Sequence, residues 1–104
     1  MLRTVAALAR ARAEHPAMSG GTAVQWWEEA DLYGEARSSG DDAVLTLLNR
    51  SDSDRTLTNG LSFAHLAQGT WTDVLTGDTF SSSGDSISVD VPARGARVLV
   101  GAAE

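Results

Sequence analysis

The stretch GDDAVLTLLNRSD, Gly40 to Asp52, breaks a pattern that the neighbouring sequence keeps. A β-strand with one wet face alternates apolar and polar residues, because successive side chains point to opposite faces. Here Val44, Leu45, Leu47 and Leu48 place bulky apolar groups on both sides of the backbone. Each such side chain left in water forgoes roughly 1.5–3 kcal/mol of burial. The segment Ala43–Asn49 is therefore read as a central strand that needs cover on both faces. DSISVDV, Asp85 to Val91, is the one-sided contrast: Ile87, Val89 and Val91 point inward, Ser86, Ser88 and Asp90 outward.

Outward from these two anchors, short β-prone runs recur near every ten residues with turn signals between them. The expected strands are Thr22–Glu28, Leu32–Arg37, Ala43–Asn49, Arg55–Thr58, a weaker Leu61–Ala64, Thr70–Leu75, Ser86–Val91 and Arg97–Val100. Breaks fall at Ser38–Asp41, Thr76–Asp78, Ser81–Asp85 and Pro92–Gly95, where Gly, Asp, Ser and Pro gather. The fold class expected is mainly β, a Greek-key-like antiparallel sandwich of about seven or eight strands. One α-helix precedes it. Leu2, Val5, Ala6, Ala9 and Ala13 fall in one stripe at helical spacing, and Pro16 stops the helix by pushing His15 out of the α region. An alanine-rich stripe holds a sheet weakly, and helices of this length are marginal alone. Helix and doubly apolar strand thus both imply a missing neighbour.

A chain of 104 residues has room for one modest core. Its net charge of −6 comes from fourteen carboxylates against eight arginines, which are scattered without a run. Neither a nucleic-acid footprint nor a basic membrane patch is expected. With no cysteine, disulfides, thiolate metal sites and thiol catalysis are excluded, and the compartment stays open. The opening MLRTVAALARARAEHPAM does not read as an export signal, since Arg10 and Arg12 interrupt its apolar stretch. Nothing approaches the ~20 apolar residues of a membrane helix, so no membrane partner is expected.

The ordered set EHPAM, SGGT, QWWEEADLYGEAR, SGDDAVLTLLNRS, GTWTDVLTGD and ISVDVPARGARVLV resembles the C-terminal β domain of the α-amylase superfamily, glycoside hydrolase family 13. The nearest likeness is to domain C of cyclodextrin glycosyltransferases and related α-amylases, through Gly21-Thr22, Trp27, Asp31-Leu32-Tyr33 and Gly69 to Gly77. The resemblance covers nearly the whole chain. It implies that residues 1–15 are the last helix of a (β/α)8 catalytic barrel and that residues 16–104 form the sandwich domain that follows. The barrel would cover the second face of Ala43–Leu48, or part of it. It also implies that the family's catalytic carboxylates, carried by barrel strands, lie before Met1. The intact parent would act on α-1,4-glucosidic bonds with retention.

No catalytic residue is assigned in this chain. Retaining glycosidases need two facing carboxylates about 5–5.5 Å apart in a cleft, whereas Asp41-Asp42 and Glu28-Glu29 sit in turn-like, solvated segments. No metal site or cofactor is expected: His15 and His65 lie far apart and read as structural histidines, and SDSD at Ser51–Asp54 lacks the glycine of a calcium loop. Asn49-Arg50-Ser51 fits a glycosylation acceptor, but with no export signal read in the sequence an unmodified asparagine is the preferred reading.

Sugars stack on exposed aromatic rings with carboxylates nearby, so Trp26, Trp27 and Glu28 are the candidate glucan-binding residues. The resemblance points to Trp27 in particular. Adjacent strand residues face opposite ways, which allows only one of the two rings into the core; packing of the second against the barrel is the alternative. Trp71 and Tyr33 read as packing residues, and Asp73 with Thr76 as the groups that fix the turn before Gly77. The expected function is a non-catalytic accessory domain of an α-glucan-acting enzyme, with the barrel as partner and a maltooligosaccharide as possible ligand. A stand-alone carbohydrate-binding module and an unrelated interaction domain are the rivals.

Overall fold

The computed structural model describes residues 22–103. Eight strands follow in order: β1 Thr22–Glu28, β2 Leu32–Ser39, β3 Asp42–Asn49, β4 Arg55–Gly60, β5 Thr70–Asp73, β6 Thr79–Ser81, β7 Ser86–Val91 and β8 Ala96–Ala102. Six form one antiparallel sheet in the order β1-β2-β3-β8-β5-β6, and β4 with β7 makes a second sheet. After β3 the chain crosses to the small sheet as β4, returns to the large sheet for β5 and β6, crosses again as β7, and comes back as β8 to lie beside β3. That return makes β3 central.

One core lies between the two sheets. Leu45 and Leu47 of β3, Trp26 of β1, Trp71 of β5 and Leu99 of β8 meet Leu57 of β4 and Ile87, Val89 and Val91 of β7. Strand β7 shows the strict alternation that its sequence predicts. On β3 the alternation sends Leu45, Leu47 and Asn49 inward, which leaves Val44, Thr46 and Leu48 on the outer face of the large sheet.

The outer face is answered in two ways. Val44 is buried in a small second cluster with Val98, and Val74, Leu75 and Val100 pack against it, because the turn after β5 folds over that end of the sheet. Leu48, opposite Tyr33, is left 42 % exposed. The expectation that an outside body covers the second face, or part of it, is therefore not needed at Val44 and stands open for Leu48. Tyr33, read from sequence as a packing residue, is 40 % exposed instead.

Two further sequence expectations change. Leu61–Ala64 is not a strand: Ser62–Ala64 forms a 3-10 turn that ends at His65 with φ 61°. Leu61 and Ala64, three apart, both face the core, a spacing that suits a 3-10 turn. The turn is held from outside by Asp85, whose carboxylate accepts from the Ser62 N–H at 3.0 Å and the Ser62 hydroxyl at 2.8 Å. The other change is β6, a three-residue strand too short to leave a sequence signal. The N-terminal helix expected over Leu2–Glu14 lies outside the described residues.

Arg97 locks the β5–β6 turn to β8. Its guanidinium donates to Asp73 Oδ2 at 3.1 Å and Asp78 Oδ2 at 2.8 Å, its Nε donates to the Asp90 carbonyl at 2.7 Å, and it sits 4.9 Å over the Phe80 ring. Asp73 is fully buried and accepts the Leu75 N–H at 2.9 Å, while the Thr76 hydroxyl accepts the Asp78 N–H at 3.1 Å. The two residues fix the turn before Gly77, as read from sequence. Burial works to lower the Arg97 pKa, but Asp78 and Asp73 outweigh it and raise it.

Candidate functional site

The tryptophan pair is shaped by a β-bulge. Gln25 pairs with Glu35 and Trp27 with Gly34, so Trp26 is an extra residue on β1. Gln25 and Glu28 consequently share the outer face, where the Gln25 amide donates to Glu28 Oε2 at 2.9 Å. Both indoles are turned to the inner side. The strict alternation assumed from sequence fails at this point, and the ring centroids lie 6.3 Å apart at 43°. Glycine is needed opposite: a β-carbon at Gly34 would stand 2.9 Å from Leu47 Cδ2, 3.2 Å from Trp26 Cε3 and 3.2 Å from Trp27 Cβ.

Of the three candidate binding residues, Trp26 lies in the core, 2 % exposed, with Nε1 donating to the Gly60 carbonyl at 2.8 Å. Trp27 is half-buried at the rim of the core and donates Nε1 to Glu29 Oε1 at 3.0 Å. Glu29 also meets Arg55 at 3.4 Å. Glu28 is exposed on the opposite face of the sheet, across from Tyr33. The structure thus brings Trp26 and Trp27 together and separates Glu28 from both. Trp27 with Glu29 and Arg55 is the grouping at the rim.

The outer side holds a second arrangement that sequence reading missed. A shallow depression of about 250 Å³ is lined by Glu28, Asp31, Tyr33, Leu48 and Arg50, among others. It joins a neighbouring one of about 380 Å³ through Leu48 and Arg50, which Arg94 also lines. Arg94 is paired with Asp52. The Arg50 side chain has no hydrogen-bond or ion-pair partner among the described residues, although its N–H donates to the Asp31 carbonyl at 2.7 Å. Burial, and then the Glu35 carboxylate that accepts its hydroxyl, push the Tyr33 pKa up. The signal in the sequence was the second apolar residue of the Leu47-Leu48 pair.

Asn49, the centre of the glycosylation-like triplet, is buried. Its amide donates to the Ser53 carbonyl at 2.9 Å and the Val91 carbonyl at 3.0 Å, and its oxygen accepts from Ser51. His65 is exposed. Among the described residues, no three metal-ligating side chains gather.

No family model matches the chain. It is 40 % identical over 70 residues to a cyclomaltodextrin glucanotransferase of Geobacillus stearothermophilus, a match over 67 % of this chain and 10 % of that protein. The chain belongs to the α-amylase family. This α-amylase-family domain spans about a tenth of the length of the curated relatives that it matches. Among solved structures, an Anoxybacillus α-amylase superposes with a TM-score of 0.82 at 20 % identity, over 97 % of this chain and 22 % of its own. AmyP in complex with maltose gives 0.74 at 23 %, over 88 % and 18 %. At such identities these structures speak for the fold of the α-amylase-family domain alone.

Proposed function

We propose that this chain is a non-catalytic accessory domain of an α-glucan-acting enzyme and that it docks against that enzyme's (β/α)8 catalytic domain through the outer face of β2 and β3. The observation that carries the reading is the open Tyr33–Leu48 pair beside Arg50, whose side chain has no partner among the described residues. An aromatic and an aliphatic anchor next to a guanidinium is the chemistry of an interface centre, where Tyr and Arg are enriched. The occupant is the remainder of the parent polypeptide, since the chain spans only about a tenth of its glucanotransferase relatives. Residues 1–15 would be the last barrel helix and residues 16–104 the sandwich domain, its β3-to-β8 return being the Greek-key-like crossover. The chemistry, a retaining displacement at an α-1,4-glucosidic bond, would belong to the barrel.

A dye that fluoresces on apolar surfaces tests the docking face. The chain binds it, and a Tyr33→Ser/Leu48→Ser variant loses that binding while keeping its fold. A wild-type chain that ignores the dye would count against docking at this face.

Glucan binding is a second role, supported by the half-buried Trp27 with Glu29 and Arg55 at the rim, and by a fold neighbour that holds maltose. Trp26 would then support the Trp27 ring from below, and Glu28 would stand outside the contact. Titration with maltoheptaose while tryptophan emission is followed decides it. Saturable quenching that Trp27→Ala abolishes supports the role, and a flat titration removes it.

A further inference from the structure

We propose that Asn59 is a self-modification site: its side-chain amide is lost through attack by the Gly60 nitrogen, and the product opens the seam that joins β1 to β4. The inference is independent of the docking and glucan readings.

The seam is built from two residues that exchange partners. Trp26 Nε1 donates to the Gly60 carbonyl at 2.8 Å, and Asn59 Nδ2 donates to the Trp26 carbonyl at 2.8 Å. These bonds tie the outer edge of the small sheet to the edge strand of the large one. Asn59 also accepts from its own neighbour, the Gly60 N–H reaching Asn59 Oδ1 at 2.8 Å. Gly60 is free to make that bond because of the ladder: the Leu61 N–H bonds to the Asp85 carbonyl, so alternation along an antiparallel pair turns the Gly60 N–H away from β7. The nucleophile is thus held beside the electrophilic carboxamide, outside the sheet ladder, and glycine puts no β-carbon in the way.

The step balances without a co-reactant other than water. The Gly60 nitrogen loses its proton to solvent and bonds to Asn59 Cγ, the Cγ–Nδ2 bond breaks, and ammonia leaves. Water then opens the cyclic imide at either carbonyl, to aspartate or to isoaspartate. In the first product a carboxylate oxygen faces the Trp26 carbonyl where a donor stood, two acceptors with no proton between them. In the second, an added backbone carbon shifts the Gly60 carbonyl away from the Trp26 indole.

The chain provides its own control. Its other asparagine, Asn49, is buried with its amide doubly donated and is followed by arginine. A β-carbon at Gly60 would meet Phe63 Cδ1 at 3.5 Å and the Asp85 carbonyl at 3.6 Å, ordinary contacts, so Gly60→Ala fits the fold while hindering ring closure.

The test incubates the folded chain in mildly alkaline buffer and maps the modification by peptide mass and isoaspartate detection. The expected result is mass gain confined to Asn59, several-fold slower in Gly60→Ala, with a red shift of Trp26 emission that Asn59→Asp reproduces. An Asn59 that keeps its amide while an unstructured peptide of the same sequence loses it would overturn the proposal, as would equal rates in wild type and Gly60→Ala. Modification without any change in Trp26 emission would overturn the seam.

Discussion

Arg97→Met removes the one cation that faces the buried Asp73 carboxylate among the described residues. In the native structure Asp73 Oδ1 accepts two backbone N–H groups, from Leu75 at 2.9 Å and Val98 at 3.4 Å, whereas Oδ2 accepts from Arg97 at 3.1 Å. Breaking a buried pair by deleting one partner costs about 3–5 kcal/mol, because the remaining charge is stranded. The two backbone donors keep the cost near the lower end. Loss of the cation–π contact with Phe80 adds ~0.5–1 kcal/mol, in part offset by sulfur against the same ring. The expected destabilisation is about 3–4 kcal/mol in equilibrium urea unfolding, within the ~5–15 kcal/mol that holds a domain of this kind together. In the Arg97→Met background, Asp73→Asn removes the stranded charge and returns roughly half of the loss. A single-variant loss below ~1 kcal/mol, or a double variant less stable than Arg97→Met, would refute the reasoning.

Gly101→Ala places a β-carbon 2.5–2.7 Å from the six-membered ring of the buried Trp71. Since that indole is enclosed by the core, overpacking by about 1–3 kcal/mol or more should lower the urea midpoint. Asp78 titrates below its usual 3.8 because Arg97, and then Thr76, hydrogen-bond its charged form. A folded pKa below the unfolded one adds stability that is complete above about 3.8 and is lost as pH falls through the folded value. The stability gap between wild type and Asp78→Asn should therefore be constant at neutral pH and close in acid, as thermal midpoints across pH would report. Trp26→Phe leaves the Gly60 carbonyl without its donor and should cost about 1–3 kcal/mol, whereas Leu48→Ser on the open face should stay within about 0.5 kcal/mol. Both are measured by the same urea titration.

Much of the fold was legible in the chain because period-two patterns report which residues share a face. Thr22–Glu28 and Ser86–Val91 coincide with β1 and β7, and β3 is central, as its two apolar faces imply. The pattern cannot report what covers a face. Whether Val44 or Leu48 is enclosed depends on where a turn thirty residues downstream folds back, and the Val74 N–H bond to the Val98 carbonyl, with the Arg97–Asp73 pair beside it, holds Val74 and Leu75 over Val44. The tryptophans escaped the pattern for a related reason: a bulge is set by the pairing of β1 with β2, and it reverses the parity that one strand alone would show.

By itself, then, the sequence determined every strand but the short β6, the inward residues of β7 and the family likeness, since alternation and turn chemistry are local. Tertiary structure alone decided which apolar residues stay open, that both indoles turn inward, and that Arg50 has no side-chain partner among the described residues. Those properties depend on contacts between segments distant in the chain, and no local pattern encodes them.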